Sequence, residues 1–160
     1  MKLPSSTEWL LHCSATIAQL EPSETASAAQ LAAYFDLPAP YLAKQLQSLV
    51  RAGILTATTG PRGGFRLGRP PGEITLLQVV EAVDGASSPY ECREIRQQGA
   101  GALPASDCRD TCILAARMAD AHDAWRRSLA TESLADILAS LPATAPARTR
   151  SKLSAIRTGP

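Results

Sequence analysis

The sequence has no apolar run long enough to cross a membrane, and it has few histidines and few aromatic residues. Its 160 residues include only two histidines, and aromatic residues make up 4% of the chain. No stretch of about 18 apolar residues occurs, so we expect no membrane span and no membrane partner. A glycine-rich phosphate loop and a Cys-x-x-Cys pair are also missing, which argues against a nucleotide-binding enzyme and a thioredoxin-like oxidoreductase. We therefore expect a protein that is not an enzyme and has no small-molecule substrate.

The first residues lack the apolar run and the small-residue cleavage site of a secretory signal, so we expect a cytoplasmic protein with reduced thiols. Four cysteines are present, and three of them lie between residues 92 and 112. In a reducing compartment, such grouping favours a metal, a cluster or a redox thiol over a structural disulfide.

Charge is unevenly divided along the chain. Residues 1–70 hold six Lys/Arg against four Asp/Glu, residues 71–141 hold six against eleven, and residues 142–160 hold four against none. A basic first part and a basic end suit a polyanion such as DNA. With 45% hydrophobic residues, the chain can bury one core and a dimer interface.

Apolar spacing predicts three helices followed by a β-hairpin. The helices cover about 6–20, 27–35 and 39–52, and Asp-Leu-Pro at 36–38 separates the last two. Two short helices joined by a tight turn are the helix-turn-helix plan. Two β-prone runs then flank the glycine-rich residues 60–64, which predicts a hairpin, or wing. The predicted fold class is mainly α, a winged helix-turn-helix with a small β-hairpin wing and a long dimerisation helix.

The rest of the chain predicts a helix at about 74–85 capped by Thr75, a loop at 86–107, and a long helix from near Cys108–Cys112 to about Ala130. The long helix carries an apolar seam suited to pairing with a second copy of the chain. The residues expected in this homodimer interface are Ile113, Met118, Ala121, Trp125 and Leu129. A short helix at 134–141 follows, and residues 142–160 are expected to be disordered.

A helix that reads DNA exposes polar side chains near its start while its other face joins the core. Tyr41 and Lys44 can bind phosphates, and Gln45 can reach a base edge or a phosphate. The wing adds arginines, and its glycines let the backbone approach a phosphate. The residues expected to contact double-stranded operator DNA are Tyr41, Lys44, Gln45, Ser48, Arg62, Gly63, Gly64 and Arg66. The alternative is a helix-turn-helix used only for packing.

Three segments, at 41–46, 60–67 and 74–85, resemble the Rrf2 family of winged-helix transcription regulators, and the resemblance covers about residues 1–141. It implies a DNA-binding homodimer, which we expect to act as a repressor. The corresponding division of the chain is a winged helix-turn-helix domain at 1–72, a connecting helix and cluster-binding loop at 73–107, dimerisation helices at 108–141, and a disordered basic tail at 142–160.

The segments at 7–13, 91–99 and 108–118 are similar to redox-sensing members of that family. That similarity implies a [2Fe–2S] cluster held by Glu8 and His12 of one subunit and by Cys92 and Cys112 of the other. The residue chemistry agrees, because Glu8 and His12 lie four apart and share a helix face, while thiolates are ligands of iron–sulfur clusters.

Several alternatives to this ligand set stay open. Glu8 and His12 can be a solvated helix pair, and Cys92 and Cys112 can be packing residues. A cluster-free regulator of the same fold can sense oxidants through thiols and disulfides, and a zinc site is a further option. Cys108 fits a spare ligand, a thiol sensor or a capping-turn residue. Cys13 lies on the apolar stripe of the first helix, so we expect it in the core.

Overall fold

The computed structural model describes residues 3–60, 63–88 and 90–156. The chain divides into two compact units. The larger unit runs up to Gly85 and resumes at Leu129, and the smaller unit contains Ala86–Ser128. Arg62, one of the residues expected to contact DNA, lies outside the described residues.

Three helices begin the larger unit: α1 (Ser5–Ile17), α2 (Ala28–Phe35) and α3 (Ala39–Arg51). Ser27 and Gln30 form a reciprocal capping box at the start of α2, which satisfies two backbone amides that have no partner within the helix. Asp36 ends α2 in the left-handed backbone region, with φ of 54°. Pro38 then precedes α3 and fixes the tight turn between the two helices. The predicted helix-turn-helix is confirmed.

The wing is an antiparallel hairpin of β1 (Leu55–Thr58) and β2 (Gly64–Leu67). Phe65 extends the pairing to Ala26, since its N–H donates to the Ala26 carbonyl at 2.8 Å and its carbonyl accepts from the Ala26 N–H at 3.1 Å. A Cβ atom at Gly64 would lie 2.8 Å from the Ala26 carbonyl group. The wing can therefore pack against the segment before α2 only with glycine at this position.

Three further helices follow, α4 (Leu76–Asp84), α5 (Ile113–Ala130) and α6 (Leu134–Ala139). The starts of α4 and α6 lie side by side, because the Leu76 N–H donates to the Glu132 carbonyl at 2.8 Å and the Leu134 N–H donates to the Ile74 carbonyl at 2.9 Å. Thr75 caps α4 as predicted. The two helix starts therefore stabilise each other across the interval that contains the smaller unit.

The smaller unit consists of loops with two short 3₁₀ turns, at Ile95–Gln97 and Ala105–Cys108, followed by most of α5. No residue of α5 is buried within the chain. Ile113 and Leu114 are 68% and 67% exposed, respectively. An amphipathic helix with its apolar side chains open to solvent is typical of a surface that a partner covers.

The core lies in the larger unit and joins one face of α3 to α1. Leu42, Leu46 and Leu49 follow each other at helical spacing and are fully buried with Leu10. Burial of each leucine contributes about 1.5–3 kcal/mol to stability. No described helix combines the length and the apolar character that a membrane crossing needs.

The expectation of a disordered tail is wrong for residues 145–155, which form α7 (Ala145–Ala155). Ala145, Thr149 and Leu153 are buried at helical spacing, and α7 packs against α2. Only Leu153 is strongly apolar among these three, so the sequence showed too little periodicity to predict the helix.

Candidate DNA surface and cysteine site

The outer face of α3 carries two side chains suited to a phosphate backbone. Tyr41 is 47% exposed and Lys44 is also exposed, while Leu42 on the opposite face is fully buried. The Tyr41 ring meets Trp9 of α1 edge to face, with 5.5 Å between ring centroids. This contact fixes the direction in which the Tyr41 hydroxyl points. The first two turns of α3 therefore present a hydroxyl and an ammonium group on its outer face.

Gln45 and Ser48, which were also expected to contact DNA, are half-buried. The Ser48 hydroxyl donates to the Gln45 carbonyl at 2.8 Å. This bond turns the hydroxyl back along the helix.

Among the described wing residues that were expected to contact DNA, Arg66 is the exposed arginine. The Nε of Arg66 donates to Thr56 Oγ1 at 3.3 Å, which holds the side chain across the hairpin. The Gly63 N–H donates to the Gly60 carbonyl at 2.8 Å and closes the turn. Gly63 and Gly64, which were expected to let the backbone approach phosphate, are thus required by the hairpin itself.

Cys92 and Cys112 lie close together in the smaller unit, although 19 residues separate them in the sequence. Cys112 immediately precedes α5, and the backbone amides of Ala115 and Leu114 at the helix start hold its thiol pKa below the ordinary value. Burial opposes this shift in part, and Arg96 and the adjacent Cys92 thiol each add a smaller lowering effect. A helix start is a common setting for a reactive or metal-binding thiolate.

Arg96 is a site residue that sequence reasoning missed. Its guanidinium donates to both carboxylate oxygens of Glu94, at 2.6 and 2.8 Å, and to the Asp110 carbonyl at 3.1 Å. The same positive charge interacts favourably with Cys108 and Cys112. Glu94 holds a left-handed backbone conformation with φ of 51°, and Arg96 lowers its pKa. The cysteine site thus contains an arginine fixed by a bidentate pair, an arrangement that no sequence periodicity indicates.

Glu8 and His12 share one exposed face of α1, as their spacing predicts. They line a shallow pocket of about 270 Å³ together with Trp9, Phe35 and Leu37. The His12 ring lies 5.9 Å from the Phe35 ring, measured between centroids. This pair of candidate ligands therefore lies directly against the end of α2.

Cys13 is fully buried, and burial raises its thiol pKa to about 12. The interpretation of Cys13 as a core residue is confirmed. Within the part of the chain that the structure describes, no three His, Cys, Asp or Glu side chains are arranged to hold a metal ion. The two predicted ligand pairs belong to different units, Glu8 and His12 to the larger and Cys92 and Cys112 to the smaller.

Comparison with known proteins agrees with this architecture. The model of the Rrf2 family, described as iron-dependent transcriptional regulator, matches residues 3–140. The transcriptional regulator NsrR of Geobacillus kaustophilus is 29% identical over 140 residues, which are 86% of this chain and 90% of NsrR.

Two solved structures of CymR share the fold. That of Bacillus subtilis, the global cysteine regulator, has a TM-score of 0.67 and 22% identity, over 89% of this chain and 99% of CymR. The oxidized form of Staphylococcus aureus CymR has a TM-score of 0.62 and 25% identity, over 89% of this chain and 98% of CymR. The family match covers most of the chain, and these relatives are regulators rather than enzymes. The chain therefore belongs to the Rrf2 family of winged-helix transcription regulators.

Proposed function

We propose that this regulator binds operator DNA as a homodimer and senses redox state through a [2Fe–2S] cluster held by Glu8 and His12 of one subunit and Cys92 and Cys112 of the other. The observation that carries the proposal is the proximity of the Cys92 and Cys112 thiols at the start of α5. A thiol pair at a helix start is a good half-site for iron, because thiolate is the form that binds metal and Cys112 ionises more readily than an ordinary cysteine.

The Glu8 and His12 pair fits the other half of such a site. Both side chains are exposed, share one helix face and carry oxygen and nitrogen donors. When bound, the cluster would supply a one-electron redox couple, and imidazole in place of thiolate raises its reduction potential. A proton on His12 or Glu8 removes the lone pair that a ligand needs, so this half of the site is the more easily lost.

The contacts of α1 connect this pair to the DNA surface. His12 packs on Phe35 at the end of α2, and Trp9 packs on Tyr41 in the first turn of α3. A displacement of α1 therefore reaches both helices of the helix-turn-helix, in part through these aromatic contacts. This arrangement gives the sensor a direct mechanical connection to the residues proposed to bind phosphate, Tyr41 and Lys44, and to the outward Arg66 of the wing.

Anaerobic purification followed by a visible spectrum and an iron determination tests the cluster. Cys92→Ala and Cys112→Ala should each lose the absorbance and the iron, because each removes a thiolate. Cys13→Ala is the matched control, since it removes a thiol from the core and should keep both. A Cys92→Ala protein with the iron content of the parent would exclude this ligand set.

The same thiol pair also favours a second function, a cluster-free thiol sensor. The Cys92 thiol interacts with the Cys112 thiol, and one of the similar structures is described as an oxidized form. In this reaction the two thiols lose two protons and two electrons to a peroxide, which is reduced to water, and one S–S bond forms. Titration of free thiols before and after peroxide treatment of the metal-free protein tests it. Loss of two thiols in the parent but none in Cys92→Ala or Cys112→Ala is expected, and an unchanged count excludes it.

A further inference from the structure

We propose that α7 is a second DNA-binding element, whose Arg148 and Lys152 bind backbone phosphates beside the helix-turn-helix. The inference rests on the DNA surface proposed above, because α7 acts on the same duplex. The family model matches residues 3–140, and α7 lies beyond this match.

Polar contacts fix α7 to the larger unit. The Thr149 hydroxyl hydrogen-bonds to Gln19 Oε1 at 2.8 Å, and Arg150 Nη1 donates to the Gln19 carbonyl at 3.1 Å. Arg150 also forms an ion pair with Glu21 at 3.1 Å. Thr149 is buried in this contact, as is Leu153 one turn later. The helix is therefore held in a defined orientation.

The end of α7 lies at the start of α2. Gln30, in the first turn of α2, donates through Nε2 to the Leu153 carbonyl at 3.2 Å. The segment just before α2 pairs with the wing through Ala26 and Phe65. In helix-turn-helix proteins the first helix of the motif crosses the phosphate backbone, and a helix start favours phosphate. Lys152, next to Leu153, therefore lies near a part of the fold that faces DNA.

Arg148 and Lys152 are free to bind an anion. Both are exposed, and their spacing of four residues places them on one face of α7. Neither has a carboxylate partner among the described residues, whereas Arg150 is neutralised by Glu21. Residues 142–160 contain no acidic side chain. The exposed face of α7 is therefore a positive surface with unsatisfied charge.

The other exposed side chains of this face favour DNA over a protein or a membrane. A protein interface or a membrane surface needs large apolar or aromatic anchors. The exposed neutral residues of α7 are small, namely Ala147, Ser151, Ser154 and Ala155. A face with charge and no apolar anchor matches the sequence-independent contacts that proteins make with phosphates.

The test measures binding to two DNA duplexes. One is a mixed-sequence duplex of about 30 base pairs, or three helical turns. The other contains a site that the parent protein has selected from a pool of random duplexes. Arg148→Ala/Lys152→Ala should weaken binding to both duplexes by a similar factor, because phosphates carry no sequence information. The slope of log K against log salt should fall by about 0.9 for each phosphate that the variant no longer binds. Arg148→Lys/Lys152→Arg keeps both charges and should bind like the parent. Ser151→Ala/Ser154→Ala, on the same helix, should also be unchanged.

Lys44→Ala, measured alongside, separates this inference from the proposed DNA surface. If Lys44→Ala weakens binding while the double alanine variant keeps the affinity and the salt slope of the parent, α7 does not bind DNA and the recognition helix still does. If neither variant changes binding, both assignments are wrong. A weakening confined to the selected site would also overturn the inference, since it would indicate base reading rather than phosphate binding.

Discussion

Cys13 and Cys112 carry the same thiol in opposite surroundings. Cys13 is enclosed by the core of the larger unit, and burial raises its pKa to about 12. Cys112 sits at the start of α5, where the helix amides lower its pKa. The first thiol is therefore kept neutral and inert, whereas the second ionises more readily than an ordinary cysteine.

Burial of Cys13 predicts a loss of stability at alkaline pH. The unfolded chain releases this proton near pH 9.0, whereas the folded chain holds it to about 12. Between these values the unfolded state binds fewer protons, so the free energy of unfolding falls as the pH rises, by at most about 1.4 kcal/mol per pH unit. Urea unfolding at a series of pH values should show a steeper alkaline decline for the parent than for Cys13→Ala. At neutral pH the variant should be less stable by about 1 kcal/mol, and equal alkaline slopes would contradict the prediction.

Cys108 distinguishes the proposed ligand set from one made of cysteines alone. Cys108 lies near Arg96, as Cys112 does, but it is not among the proposed ligands. Cys108→Ala should therefore keep the iron content and the visible absorbance of the parent, and His12→Ala should alter the spectrum. Loss of both signals in Cys108→Ala, with His12→Ala unchanged, would point to an all-cysteine site.

Substitutions on the outer face of α3 test whether this helix binds DNA. Lys44→Ala should weaken binding to specific and non-specific DNA alike and lower the salt slope of the dimer by about 1.8, which is about 0.9 for the phosphate that each subunit no longer binds. Tyr41→Ala should weaken binding as well and also free the Trp9 ring. Neither change touches a proposed ligand, so the visible spectrum should stay as in the parent. Parent-like affinity in both variants would exclude this face.

The geometry of α5 refines the predicted interface. Leu114 lies one turn before Met118, and Trp125 falls on the same face, stacked on His122 at 5.6 Å between ring centroids. Ile113 lies five residues before Met118, which is about 140° around the helix. In a dimer paired along Met118 and Trp125, we therefore expect Leu114 rather than Ile113 to provide the first apolar contact.

The whole molecule is proposed to be a homodimer, and Trp125→Asp tests this state. A charge in the seam would be desolvated on pairing, so the variant should sediment as a monomer and lose DNA binding. Arg127→Asp is the control, because it places the same side chain on the opposite face of α5 and should leave the dimer intact. A Trp125→Asp protein that sediments as a dimer would exclude α5 as the interface.

Mixing experiments test whether one cluster draws ligands from two subunits. A Glu8→Ala/His12→Ala protein and a Cys92→Ala/Cys112→Ala protein should each lack the cluster. Heterodimers of the two retain one complete set of ligands, so reconstitution should restore about half of the iron of the parent dimer. Colourless heterodimers, once their formation is verified by mass spectrometry, would rule out the shared site.

Local signals in the sequence predicted most of the larger unit. These signals are the capping threonine of α4, the break at 36–38 and the glycines of the wing. Each acts on a few neighbouring residues, so its effect can be predicted from the sequence without knowledge of the fold. The contact between Cys92 and Cys112 depends on how a long loop closes, and Arg96 shows no pattern of its own. The helix α7 is stabilised mainly by distant partners such as Gln19 and Gln30, which the tail sequence does not reveal.

The core of the larger unit is built from residues that precede and follow the smaller unit in the sequence. Leu134 and Leu153 join a core whose other members precede Gly85, and the starts of α4 and α6 hydrogen-bond to each other. During synthesis the helix-turn-helix therefore leaves the ribosome with part of its core uncovered. The helices α6 and α7 can cover this part only after residues 86–112 and α5 have been made. A nascent chain thus completes the core of its larger unit only after Cys92, Cys108 and Cys112 have been synthesised.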